Sequence, residues 1–192
     1  MAGGWSRVAR RIRVPMGFVF AAFFLWLARP SAAFLAFSLV LVVPGLWLRG
    51  YASGYVKKNA EVTMTGPYAF TRNPLYLGSM LIAFGFALAA RSPAIAILLA
   101  VLFAVIYIPV IRSEEEFLRA KFSGYAAYAA QVPRLIPRLR PIVAQTADDG
   151  GFSVALYRKH REYNALIGAA AIYATLILKL CSGSWDLNFF RW

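Results

Sequence analysis

The sequence predicts an all-α integral membrane protein, with about five transmembrane helices and one interfacial amphipathic helix. Three observations lead there. Hydrophobic residues fill 60% of the 192 positions and charged residues only 15%, against roughly 25% charged in a soluble domain. Mean hydropathy is +0.60. Apolar runs of near-membrane length recur along the whole chain, and the basic residues flank them instead of covering one soluble face. No low-complexity linker divides these runs, so residues 1–192 read as a single domain.

About 20 apolar residues cross the hydrocarbon core, and somewhat fewer suffice with snorkelling flanks. Five segments qualify, at roughly 14–29, 32–49, 75–90, 93–111 and 163–181. The first follows a basic stretch, WSRVARRIR, in the manner of a signal peptide, but no small-residue cleavage site precedes the next run, so it reads as a retained helix. Arg29, Pro30 and Ser31 alone join it to the second segment, making a tight hairpin. Arg91, Ser92 and Pro93 make another between the third and fourth, with Ser92 suited to cap and Pro93 to the first helical position.

Charge placement orients the bundle. With the N-terminus cytoplasmic, every Lys and Arg except Arg29, Arg91, Lys179 and Arg191 falls on that side, as the positive-inside rule requires. The alternative, in which 163–181 lies on the surface, leaves four spans. A net charge of +13 distributed this way suits anionic lipid headgroups and not nucleic acid. The single cysteine, Cys181, excludes an internal disulfide, and no His, Cys and Asp cluster suggests a metal. The lone histidine, His160, sits in a juxtamembrane basic run and reads as a solvated or lipid-facing residue.

Chemistry therefore belongs to the two long cytoplasmic segments, 50–74 and 112–162, which hold every acid except Asp186. In GPYAFTRNPLYLG (66–78), Gly66 and Pro67 dictate a turn, and Pro74 biases Asn73 away from the helical region. Irregular backbone at membrane depth is tolerated where it is buried in protein or lines a wet cavity. The segment therefore walls a polar pocket, or it simply ends a loop with Arg72 snorkelling to phosphates. Ser113-Glu114-Glu115-Glu116 has two compatible readings. One is a capping box opening a helix; the other is a pair of acids turned toward a cationic ligand. From Glu114 to Ala129 apolar residues recur at helical spacing, predicting the interfacial helix, with Tyr125 and Tyr128 as interface anchors. The proline-rich VPRLIPRLRP that follows reads as a basic clasp over the pocket or as a headgroup contact. No dinucleotide or phosphate-loop motif and no Ser/His/Asp set occurs.

GPY, RNPLYLG, the Glu114–Glu115 pair with Leu118, YAAYAAQ and VPRLIP occur in order across a helical hairpin. In this the chain resembles the membrane methyltransferases that include isoprenylcysteine carboxyl methyltransferase and the phospholipid N-methyltransferases. The family-like core covers about 50–140, and the C-terminal helix at about 163–181 is extra. The resemblance implies S-adenosylmethionine bound at the cytoplasmic face and a lipophilic acceptor, carboxylate or amine, entering from the bilayer. It places Tyr68, Arg72, Asn73, Pro74, Leu75, Tyr76 and Glu115 at the cofactor, Glu114 and Glu115 as catalytic residues, and Arg112 beside the substrate. For Arg112 internal ion pairing is the competing reading. Asn73 stands where the family has His, and Phe122-Ser123-Gly124-Tyr125 is one residue shorter than the family pattern. Asn exchanges hydrogen bonds but does not titrate near neutral pH, so it can hold a cofactor and cannot act as a base. Two other functions are compatible with the sequence: an NADPH-dependent membrane reductase of the steroid reductase type, and a non-catalytic lipid-binding membrane protein.

Overall fold

The computed structural model describes residues 22–57, 61–142 and 151–182. Within them the chain is helical, with no strand. A helical stretch at 22–27 precedes α1 (Ala32–Ser53). A single 3-10 turn (Gly66–Ala69) leads to α2 (Pro74–Ala89), α3 (Pro93–Leu102), a π-helical turn (Phe103–Tyr107) and α4 (Ile108–Lys121). Then come α5 (Tyr125–Gln131), α6 (Val154–His160) and α7 (Tyr163–Ser182).

Among the described residues, three helical runs are long and apolar enough to cross a membrane: Ala32–Ser53, Pro93–Lys121 and Tyr163–Ser182. Pro74–Ala89 is apolar but shorter, at 16 residues, and residues 14–21 of the expected first span lie outside the described residues. The expected connection after α2 is present. Arg91 adopts a left-handed φ of 50°, and the Ser92 hydroxyl accepts the Ile95 amide at the start of α3.

The fourth helix departs from expectation. Residues 93–121 run on as one unit of 29 residues, so Ser113 lies inside a helix and the capping-box reading of 113–116 is incorrect. Pro109 should break such a helix, because it lacks an N–H and its ring clashes with the carbonyl four residues back. The π turn just before it widens the helix, with the Ile108 amide donating to the Phe103 carbonyl. At 1.5 Å per residue the unit is roughly 43 Å long. That exceeds a hydrocarbon core of about 30 Å, so the end bearing Glu114, Glu115 and Glu116 projects beyond it. The interfacial helix expected over 114–129 is split instead. Phe122 is extended and the chain turns at Ser123 and Gly124 before α5. Tyr125 and Tyr128 are buried, not interface anchors. They pack with Val132 against Val62, Met64, Leu118 and Ile142 as a small core capping the bundle.

The main core lies between α1, α2, α3 and α7, around Val42, Phe86, Ala89, Ile95 and Leu176. With lipid tails as apolar as the side chains, close backbone approach is what drives such packing. A Cβ on Gly45 would sit 2.8 Å from the Gly78 carbonyl oxygen, and one on Gly78 the same distance from the Gly45 carbonyl. Gly45→Ala should therefore cost about 1–3 kcal/mol through overpacking, read as a lower thermal midpoint in detergent. An unchanged midpoint would mean that α1 and α2 are not in backbone contact at this point.

α7 is tied into this core. The Ser38 and Tyr173 hydroxyls are 2.6 Å apart, and the Tyr173 ring leans on Phe86. Lys179 donates to the Leu25 and Ala28 carbonyls at 2.6 and 2.7 Å, satisfying orphan groups at the end of the 22–27 helix. His160 is likewise not simply solvated. Its Nδ1 lies 3.0 Å from the Ser53 carbonyl at the end of α1.

Candidate active site

The 66–73 segment has the irregular backbone expected of it. Gly66 is required, since its φ is +57° and a Cβ would strike the Tyr55 ring. The 3-10 turn then buries Pro67, Tyr68 and Ala69. Beyond it, the proline-rich 132–142 strand of chain lies alongside. The Arg72 amide donates to the Pro133 carbonyl at 2.9 Å, Arg138 to Phe70 at 3.0 Å and Ile142 to Ala69 at 3.2 Å. The Thr71 hydroxyl donates to the Arg134 and Leu135 carbonyls, and the Tyr128 hydroxyl to the Tyr68 carbonyl. Residues 132–142 thus clasp the pocket segment through backbone hydrogen bonds, which a proline-rich chain without helix of its own leaves available.

Glu115 is the centre of the site. It is 4% exposed and accepts a forked pair of bonds from Arg134, with Nη2 to Oε2 at 2.8 Å and Nε to Oε1 at 3.1 Å. Arg72 Nη1 stands 3.5 Å from Oε1. The Asn73 amide donates to the same oxygen at 3.3 Å and to the Arg134 carbonyl at 3.0 Å. Burial pushes the Glu115 carboxyl up, but the Arg134 bonds, the charges of Arg72 and Arg134, and the Asn73 bond together hold it below the usual carboxylate range. It is ionised and saturated with donors. Its neighbour Glu114 is exposed and accepts from the Tyr76 hydroxyl at 2.9 Å.

Beside these groups is a cavity of about 340 Å³. Tyr68, Arg72, Asn73, Pro74, Leu75, Tyr76, Glu114 and Glu115 all line it, together with Tyr125, Tyr128 and residues of the 56–63 segment, Lys57 and Glu61 among them. Arg112, by contrast, is exposed and not among the lining residues. Burial, with the charges of Glu114 and Glu162 adding and Arg49 opposing, pushes the Tyr68 phenol far above its ordinary range, so it remains a neutral hydroxyl. The Nε and Nη1 atoms of Arg72 are buried and have no hydrogen-bond partner among the described residues.

Three charged residues escape a reading from sequence. Arg134 is visible only as one of several basic residues in the clasp, yet it is the main partner of Glu115. Arg49 and Glu162, 113 positions apart, form a fork-to-fork pair with Nε to Oε2 at 3.0 Å and Nη2 to Oε1 at 3.0 Å. The available signal was an acid, Glu162, immediately after the basic run Arg158, Lys159, His160 and Arg161.

Residues 31–124 match the family model described as phospholipid methyltransferase. The chain is 39% identical over 94 residues to the cobalt-zinc-cadmium resistance protein CzcN of Cupriavidus metallidurans, covering 49% of this chain and 43% of that one. It is 37% identical over 113 residues to the nickel-cobalt-cadmium resistance protein NccN of Alcaligenes xylosoxydans xylosoxydans, covering 57% of this chain and 52% of that one. It thus spans about half the length of the curated relatives it matches. No solved structure matches it. Residues 31–124, which carry Asn73, Tyr76 and the Glu114–Glu115 pair, are a phospholipid methyltransferase family domain.

Proposed function

We propose that the chain is an S-adenosylmethionine-dependent methyltransferase that modifies a lipophilic acceptor, carboxylate or amine, at the cytoplasmic face of a membrane. The observation that carries this reading is the convergence of Tyr68, Arg72, Asn73, Pro74, Leu75, Tyr76, Glu114 and Glu115 on one cavity from two segments about 40 residues apart. Their chemistry suits the cofactor. The buried Arg72 guanidinium, ion-paired with Glu115 but with no hydrogen-bond partner for Nε among the described residues, suits a carboxylate, the exposed Glu114 carboxylate suits an ammonium or sulfonium, and the tyrosine walls suit an adenine ring. The volume is at the low end of ligand pockets, about 300–1,000 Å³, which favours this ligand over a phosphate-bearing dinucleotide.

Bound S-adenosylmethionine would supply an activated methyl group, leaving the protein to align groups and exclude water. Glu115, already paired and ionised, acts as a positioning residue that fixes Arg72 and the clasp. Glu114 is free to take a proton from an amine acceptor, whereas a carboxylate acceptor needs no base. The basic residues on the same side of the bundle favour a cytoplasmic N-terminus and site, facing anionic headgroups. The metals in the relatives' names describe those proteins. Among the described residues no group of three or more His, Cys, Asp or Glu could hold a metal ion, and none enters this reading.

Calorimetry on the purified protein should show binding of S-adenosylmethionine and S-adenosylhomocysteine, and none of NADPH. Arg112→Ala should leave that affinity unchanged, because the side chain lies outside the cavity. Binding of NADPH alone would replace this reading with the reductase one, and binding of neither with a non-catalytic role.

A further inference from the structure

The Arg49–Glu162 pair lies outside the cavity but is built into its wall. Arg49, toward the C-terminal end of α1, reaches across to α2. Its Nη1 donates to the Leu75 carbonyl at 3.3 Å and to the Ser79 hydroxyl, and that hydroxyl donates to the same carbonyl at 2.9 Å. Gly78 makes the berth: a Cβ there would stand 2.7 Å from Arg49 Cγ. The other edge of the guanidinium is held by both oxygens of Glu162, whose side chain is only 13% exposed. The carbonyl so gripped belongs to the residue between Pro74 and Tyr76, and all three line the cavity. Glu162 itself lies in the turn between α6 and α7, beyond the residues 31–124 matched by the family model.

We infer that Glu162 is a positioning residue for the cofactor cavity, acting through Arg49 to fix the first turn of α2 and so the placement of Pro74, Leu75 and Tyr76. The inference rests on the methyltransferase reading and assigns a task to the C-terminal helices. A guanidinium with one edge locked by a carboxylate has a single orientation for its other edge. Without the carboxylate, Arg49 can swing away from Leu75 and the first turn of α2 loses a side-chain anchor at the cavity mouth. Small misplacements of binding groups are costly.

The test is calorimetric affinity for S-adenosylmethionine on the full chain in detergent, at a temperature where thermal unfolding shows each variant folded. Glu162→Gln should weaken binding roughly fivefold to tenfold, while Glu162→Asp, which keeps the charge, should stay within about twofold of wild type. Wild-type affinity in Glu162→Gln overturns the inference and leaves the methyltransferase reading standing. No binding by the wild-type protein overturns both. Should Glu162→Gln not fold, Arg49→Lys, which retains the charge but loses the fork to Leu75, carries the same expectation. Loss of the fold in both variants overturns the inference, because the pair would then hold the bundle and not the site.

Discussion

Glu115→Ala should lower the stability of the protein by about 3–5 kcal/mol, the range for removing one partner of a buried ion pair. The reason is what remains behind. Arg72 is 11% exposed and would keep its charge with no carboxylate near it. Arg134, at 42% exposed, can turn to water once the acid is gone, whereas Arg134→Ala leaves Glu115 with the Arg72 charge and the Asn73 amide still beside it, so Arg134→Ala should cost less. The large effect therefore belongs to the acid, and unfolding in detergent at neutral pH would show that ordering. A Glu115→Ala variant as stable as Arg134→Ala would show that Arg72 has another counter-charge. The pH dependence follows from the depressed Glu115 carboxyl. Its contribution is fully present above the ordinary value of 4.5 and is lost as pH falls through the lower folded-state value. The gap between wild type and Glu115→Ala should close in acid, and a gap that widened there would exclude Glu115 as the ionised partner.

Glu114→Gln should have the opposite profile, with the thermal midpoint close to wild type and S-adenosylmethionine affinity reduced at least tenfold, as expected for loss of one charged hydrogen bond of about 1.5–3 kcal/mol. Glu114 is exposed and accepts a hydrogen bond from the Tyr76 hydroxyl at 2.9 Å, so little of the fold depends on it. Tyr76→Phe should give a smaller loss of affinity, since it frees the carboxylate without removing it. The two variants also separate the acceptors. An amine acceptor relies on Glu114 for its proton, so its turnover should fall further than affinity accounts for, whereas turnover of a carboxylate acceptor should follow occupancy alone. A stable Glu114→Gln protein with unchanged affinity would move the cationic end of the cofactor elsewhere in the cavity.

The two variants differ because adjacent residues on α4 face different surroundings. From sequence, Glu114 and Glu115 are alike: two acids beside a membrane segment, open to capping, internal pairing or ligand binding. A helix turns about 100° per residue, so one carboxylate enters the junction with residues 72–73 and 134 and the other looks out beside Tyr76. The sequence does not say which. For the same reason it does not show that Arg112, two residues from Glu114, stays out of the cavity lining.

Local chemistry is what composition and short motifs can carry. The amount and spacing of apolar residues demanded helices in a membrane, Gly66 and Pro67 demanded a turn, Ser92 and Pro93 a helix start, and the order of GPY, RNPLYLG and the Glu pair pointed to one pocket. None of these needs a distant partner. Long-range pairing decided the rest: the burial of Tyr125 and Tyr128, the Arg134–Glu115 fork, and the junction of Arg49 with Glu162 across 113 positions. Such pairs are absent from any short window, because a charge in a sequence carries no record of which opposite charge it meets. The packing of α1 against α2, close enough to exclude a Cβ at Gly45 and Gly78, brings Arg49 within hydrogen-bonding distance of Leu75.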